Sequence, residues 1–104
     1  MSYRVWIKDE AKEEIKQLPG HMRQRVRGAI RDLSLEPRPH ESQPMKSPIA
    51  TELELRRLRL DRWRVIYVVD EHAQEVGVLA VRKRPPYDYS DLPSLLAGIE
   101  DQSM

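Results

Sequence analysis

Residues 55–89 read LRRLRLDRWRVIYVVDEHAQEVGVLAVRKRPPYDY, and the alternation inside this stretch decides the fold. Trp63, Val65, Tyr67 and Val69 alternate with Arg64, Ile66 and Val68, the period of two that sends successive side chains to opposite faces of a strand. Asp70 to Gln74 supply a turn, and Val76 to Val81 are nearly all apolar, which predicts a strand at the centre of a sheet. Upstream, Leu53 and Leu55 have odd numbers whereas Leu58 and Leu60 have even ones, so a one-residue slip is expected near Arg56-Arg57, as a bulge or bend would cause. The three strands are expected to form an antiparallel meander. Beyond Arg84, Pro85-Pro86 stops the ladder, because neither residue has an N–H to donate.

Outward from the meander, Tyr3, Val5 and Ile7 alternate with Arg4, Trp6 and Lys8, which predicts a short opening strand. Asp9 is the expected N-cap of a first helix, with Glu10 and Glu13 favoured at its positive end and Ala11, Ile15 and Leu18 at helical spacing up to Pro19-Gly20. Met22, Val26, Ala29, Ile30 and Leu33 share one face of a second helix, expected to run to Glu36-Pro37. Residues 34–50 hold four of the eight prolines and read as an irregular connection. Leu92, Leu95, Leu96 and Ile99 predict a last short helix capped by Ser90 or Asp91. The fold class is therefore α+β: an N-terminal strand, a helical hairpin packed on one face of a mostly antiparallel sheet with a three-strand meander, and a short C-terminal helix.

The chain has 104 residues, 34% charged and 39% hydrophobic, with no cysteine. That excludes a disulfide scaffold, thiolate metal ligands and a cysteine nucleophile. His21, His40 and His72 are scattered singly and read as solvated; no metal or other cofactor is expected. No apolar run approaches the roughly 20 residues of a membrane span, and the N-terminus lacks a signal-peptide core, so a cytoplasmic protein is expected.

The formal net charge of +1 conceals an asymmetry. All 18 basic groups lie before Pro85, against 13 acidic ones, a net of +5; Asp88, Asp91, Glu100 and Asp101 make residues 85–104 a −4 tail. Thirteen of the basic groups are Arg, whose planar fork suits phosphate and stacks on bases, so an anionic partner is favoured. Arg56, Arg57, Arg59, Arg62 and Arg64 fall within nine residues. If Leu58 and Leu60 face the helices, Arg57 and Arg59 line the opposite, open face, and a suitable register brings Arg64 beside them. Arg82, Lys83 and Arg84 end the last strand and precede Tyr87 and Tyr89, phenols able to stack on a nucleobase or to exchange a proton.

The quoted stretch resembles the RelE/ParE superfamily of type II toxins, above all in Trp63-Arg64-Val65-Ile66-Tyr67, which is similar to that family's aromatic-Arg-hydrophobic-hydrophobic-Tyr strand. The resemblance covers most of the chain and implies one RelE-like domain over residues 1–104, with 85–104 as its acidic segment. It also implies a ribosome-dependent, metal-independent mRNA endonuclease that inhibits translation, with a cognate antitoxin, the ribosome and mRNA as partners; a ParE-like inhibitor of DNA gyrase and an inactive partner of an antitoxin are the alternatives. Carried over residue by residue, Arg57, Arg59, Arg64, Arg84 and Tyr87 are the expected catalytic set, and Arg56, Arg62, Arg82, Lys83 and Tyr89 the expected RNA contacts. Arg at both positions of a basic pair often filled by Lys removes one candidate base, since arginine keeps its proton. Tyr87, its pKa depressed by nearby guanidiniums, or a group on the ribosome would then take the proton, and Tyr87 or Tyr89 would stand for the family's C-terminal tyrosine. The tail helix is expected to be able to fold over the open face.

Overall fold

The computed structural model describes residues 2–99; Glu100 and Asp101, two of the tail acids, lie outside them. Strand β1 (Arg4–Ile7) leads into helices α1 (Asp9–Lys16) and α2 (Gly20–Asp32), followed by β2 (Ser42–Pro44), β3 (Glu54–Leu60), β4 (Trp63–Asp70), β5 (Glu75–Lys83) and α3 (Leu92–Ala97). The five strands form one sheet in the order β1-β5-β4-β3-β2. β1 lies parallel to β5 and every other pair is antiparallel, so the meander β3–β4–β5 stands as expected, with β5 inside the sheet.

Each face of the sheet has its own core. Ala11, Ile15, Met22, Val26 and Ile30 of the helical hairpin pack on Leu58, Leu60, Val65, Tyr67, Val69 and Val78. On the other face Leu92, Leu95, Leu96 and Ile99 pack on Leu55, Ile66, Val68, Leu79 and Ala80. This double cover corrects the expected slip at Arg56-Arg57. β3 pairs with β4 without interruption from Glu54↔Val69 to Leu60↔Trp63. The leucines change parity because Leu55 belongs to the α3 side and Leu58 and Leu60 to the hairpin side. The register shift falls instead between Ile66 and Tyr67, against β5.

Three boundaries also differ from expectation. Lys8, not Asp9, is the N-cap of α1, and Asp9 sits in the first turn where its charge still faces the positive helix end. α2 ends at Asp32, four residues before Glu36, and Leu33 is buried just beyond it. The proline-rich connection contains β2, which pairs with β3 through Ser42↔Leu58, Gln43↔Arg57 and Pro44↔Arg56. Pro44 is tolerated because β2 is the edge strand.

β2 is anchored by polar contacts beneath it. The Tyr67 hydroxyl donates to the Pro37 carbonyl and meets Ser42 Oγ, both at 2.7 Å. Arg56, 8% exposed, donates from Nε to Ser42 Oγ at 2.6 Å and from Nη1 to Glu54 at 2.5 Å. Arg38 also grips Glu54, and it reaches Glu71, which accepts from the Tyr3 hydroxyl at 2.7 Å. No described helix is long and apolar enough to cross a membrane.

Candidate functional site

Strand parity puts Arg57 and Arg59 of β3 and Arg64 of β4 on the face away from the helical hairpin, where Arg59 and Arg64 are directly opposite each other. Like charges facing across a ladder are destabilising, so this arrangement does not serve the sheet. Past β5, the Arg84 N–H donates to the Arg62 carbonyl at 2.7 Å and carries a fourth guanidinium to the same end. Arg57, Arg59, Arg64 and Arg84, with Glu41 and Gln43, line a cavity of about 330 Å³. Gln43 Oε1 accepts from Arg57 at 3.0 Å, and the carbonyls of Asp61 and Trp63 each accept from Arg64 Nη1 at 3.0 Å. None of the four arginines forms an ion pair among the described residues. Their charge is left for something else to neutralise.

The two tyrosines part company here. Tyr89 has a positive φ of 63°, a conformation that a bulky side chain adopts only where its surroundings enforce it. Arg84 Cζ lies 4.8 Å from its ring centroid and Arg57 Cζ 5.9 Å. Its hydroxyl is buried without a hydrogen-bond partner. Burial alone would raise the Tyr89 pKa; the charges of Arg84 and Arg57 beside it outweigh that and hold it below the ordinary tyrosine value. Tyr87 instead donates to Asp91 Oδ1 at 2.8 Å, with Arg82 Cζ 5.0 Å from its ring centroid. Burial, and then the Asp91 carboxylate, push the Tyr87 pKa up. The expectation of a Tyr87 depressed by guanidiniums is therefore corrected: the phenol with that property is Tyr89.

Two of the expected RNA contacts are committed elsewhere. Arg56 shares the parity of Leu58 and Leu60, so it points into the hairpin side and is spent on Ser42 and Glu54. Arg82 reaches round the sheet to ion pairs with Glu14 of α1 and Asp91 ahead of α3. Glu14 also accepts the Val81 N–H at 3.0 Å. Arg62 and Lys83 are exposed at the same end of the sheet as the basin. His21, His40 and His72 are all exposed, and none of them lines it. α3 does lie over the face that carries the basin, covering its apolar part. Glu41 and Gln43, absent from the expected set, enter because β2 lies beside Arg57, and a three-residue strand containing proline gives almost no periodic signal.

A family model described as the ParE toxin of the type II toxin-antitoxin system, parDE, matches residues 5–85. No curated protein matches the chain by sequence. Among solved structures, it is similar to a chain of the archaeal RelE-RelB complex from Pyrococcus horikoshii OT3, with 28% identity over 84% of this chain and 100% of the other, at a TM-score of 0.73. The toxin-antitoxin complex RelBE2 from Mycobacterium tuberculosis gives 25% identity over 81% and 100%, at a TM-score of 0.68. A double mutant of E. coli toxin RelE in the free state shares the fold at a TM-score of 0.67, with 20% identity over 95% and 98%.

Proposed function

The chain belongs to the ParE toxin family of type II toxin-antitoxin systems, within the RelE/ParE superfamily, and on that premise we propose that it is a ribosome-dependent mRNA endonuclease needing no metal and held in check by a cognate antitoxin. The observation that carries this reading is the basin of four arginines, none in an ion pair among the described residues, two of them against the Tyr89 ring.

In the proposed reaction a ribose 2′-oxygen attacks the adjacent phosphorus, the bond to the 5′-oxygen breaks, and a 2′,3′-cyclic phosphate forms. Negative charge builds on the phosphoryl oxygens, and Arg57, Arg59 and Arg64 stabilise it from fixed positions on the rigid sheet. Arg84 hydrogen-bonds the leaving 5′-oxygen, which takes its proton from water. Tyr89, as phenolate, accepts the 2′-hydroxyl proton. Tyr87 keeps its proton and braces Asp91. The antitoxin supplies an acidic segment for the same basin, which speeds association and occludes the site.

Induced expression with 5′-end mapping of transcripts tests the proposal. Cleavage within translated codons is expected, lost in Arg57→Ala with Arg59→Ala and in Tyr89→Phe. Intact transcripts in growth-arrested cells overturn it. The family model is named for ParE, which keeps one other reading, a ParE-like inhibitor of DNA gyrase, and loss of supercoiling by purified gyrase in the presence of this chain would establish it.

A further inference from the structure

Trp63 begins β4 and packs against the hairpin-face core, yet it is only half-buried. It also borders a hollow of about 710 Å³, lined by Met22, Arg59, Asp61, Arg62 and Lys83 as well. A second hollow of about 500 Å³ shares Trp63 and Lys83 with the first and continues toward Pro86. Asp61, the carboxylate of the larger hollow, is taken by Arg25 at 2.7 Å. Arg59, Arg62 and Lys83 form no ion pair among the described residues. Arg59 also lines the arginine basin, so the basin and the indole hollow meet at one guanidinium.

From this juxtaposition we infer that Trp63 is a stacking platform for a nucleobase of single-stranded RNA, with Arg59, Arg62 and Lys83 holding the phosphates between that base and the basin. A half-buried indole bordering two hollows can stack on any base, and unpaired cations beside it favour a phosphate chain over a neutral or apolar ligand. The bound strand would bend round the end of the sheet at the Asp61-Arg62 turn, leaving its scissile phosphate in the basin and a flanking nucleotide on Trp63. The inference rests on the RNA-cleaving reading above but concerns a separate subsite, whose Trp63, Arg62 and Lys83 have no part in bond breaking.

Hexauridine RNA titrated into the full chain tests it, read by tryptophan emission and by anisotropy of end-labelled RNA. Trp63→Leu, Trp63→Tyr and Arg62→Ala with Lys83→Ala are compared, and a hexaglutamate peptide runs as a parallel probe. RNA is expected to quench the emission. Trp63→Leu should weaken RNA binding by at least about fivefold, and Trp63→Tyr should retain most of the affinity. The double charge variant should weaken binding and flatten its salt dependence, which decides the matter even if Trp63→Leu does not fold. Unquenched binding with unchanged affinity in the folded variants overturns the inference, as does quenching by the peptide and not by RNA. Quenching by RNA from a chain that leaves transcripts uncut sinks the nuclease reading alone. Mapped cleavage with Trp63 silent sinks the stacking platform alone.

Discussion

The Tyr87 hydroxyl is partly buried and donates to Asp91, so its proton is held above the ordinary tyrosine range, whereas Tyr89 stands beside two guanidiniums that ease its proton away. These opposite shifts make the pH–rate profile a test of which phenol takes part. With Tyr89 as the acceptor, the rate of a single-turnover cleavage should rise with pH and level off below pH 10, and Tyr89→Phe should remove that limb while Tyr87→Phe keeps it. A limb that rises only above pH 10 would assign the step to Tyr87. Tyr87 has its own signature in stability. Its folded pKa is raised, so its contribution is complete below the unfolded value of about 10 and fades as pH rises through the folded one. Urea denaturation at increasing alkaline pH should show this loss, and Tyr87→Phe should make the curve flatter in that window.

At the scale of elements, two substitutions test how the sheet is assembled. Gly77 in β5 lies under the Trp6 indole, and a Cβ there would come within 2.0 Å of that ring. Gly77→Ala should cost about 1–3 kcal/mol by overpacking, read as a lower urea midpoint with an unchanged slope. Tyr67→Phe leaves Ser42 and the Pro37 carbonyl short of a donor and should cost about 1–3 kcal/mol, with faster amide exchange across β2. The meander was legible because its alternation is strict, and the hairpin because Ile15, Val26 and Ile30 fall at helical spacing. Parity also placed Arg57 and Arg59 on the face away from the hairpin. β2 was not legible, since three residues ending in proline become a strand only by pairing with β3 across a proline-rich connection. The burial of Arg56 follows from that same pairing, which brings Ser42 within its reach. The difference between Tyr87 and Tyr89 was equally hidden, because it depends on a left-handed backbone at Tyr89 and on an aspartate delivered by α3.

For the molecule as a whole, charge is segregated rather than merely abundant, and RNA binding should report that. Four basin arginines meeting phosphate contribute about −3 to the slope of log affinity against log salt, and Arg57→Ala with Arg59→Ala should reduce its magnitude by about 1.4. A slope near zero in the unaltered chain would mean that the basin does not meet phosphate. Elsewhere the same economy of charge meets a different need. β1 stops pairing with β5 at Val78, and beyond it the Glu14 carboxylate accepts the Val81 N–H and the Lys83 carbonyl accepts the Tyr87 N–H. An apolar strand edge left bare is adhesive, and a neighbouring copy can extend it indefinitely. Glu14, paired with Arg82, occupies the Val81 N–H where such a copy would dock. Glu14→Ala should therefore shorten the lag before light scattering rises in a concentrated solution, a hazard unconnected with toxicity.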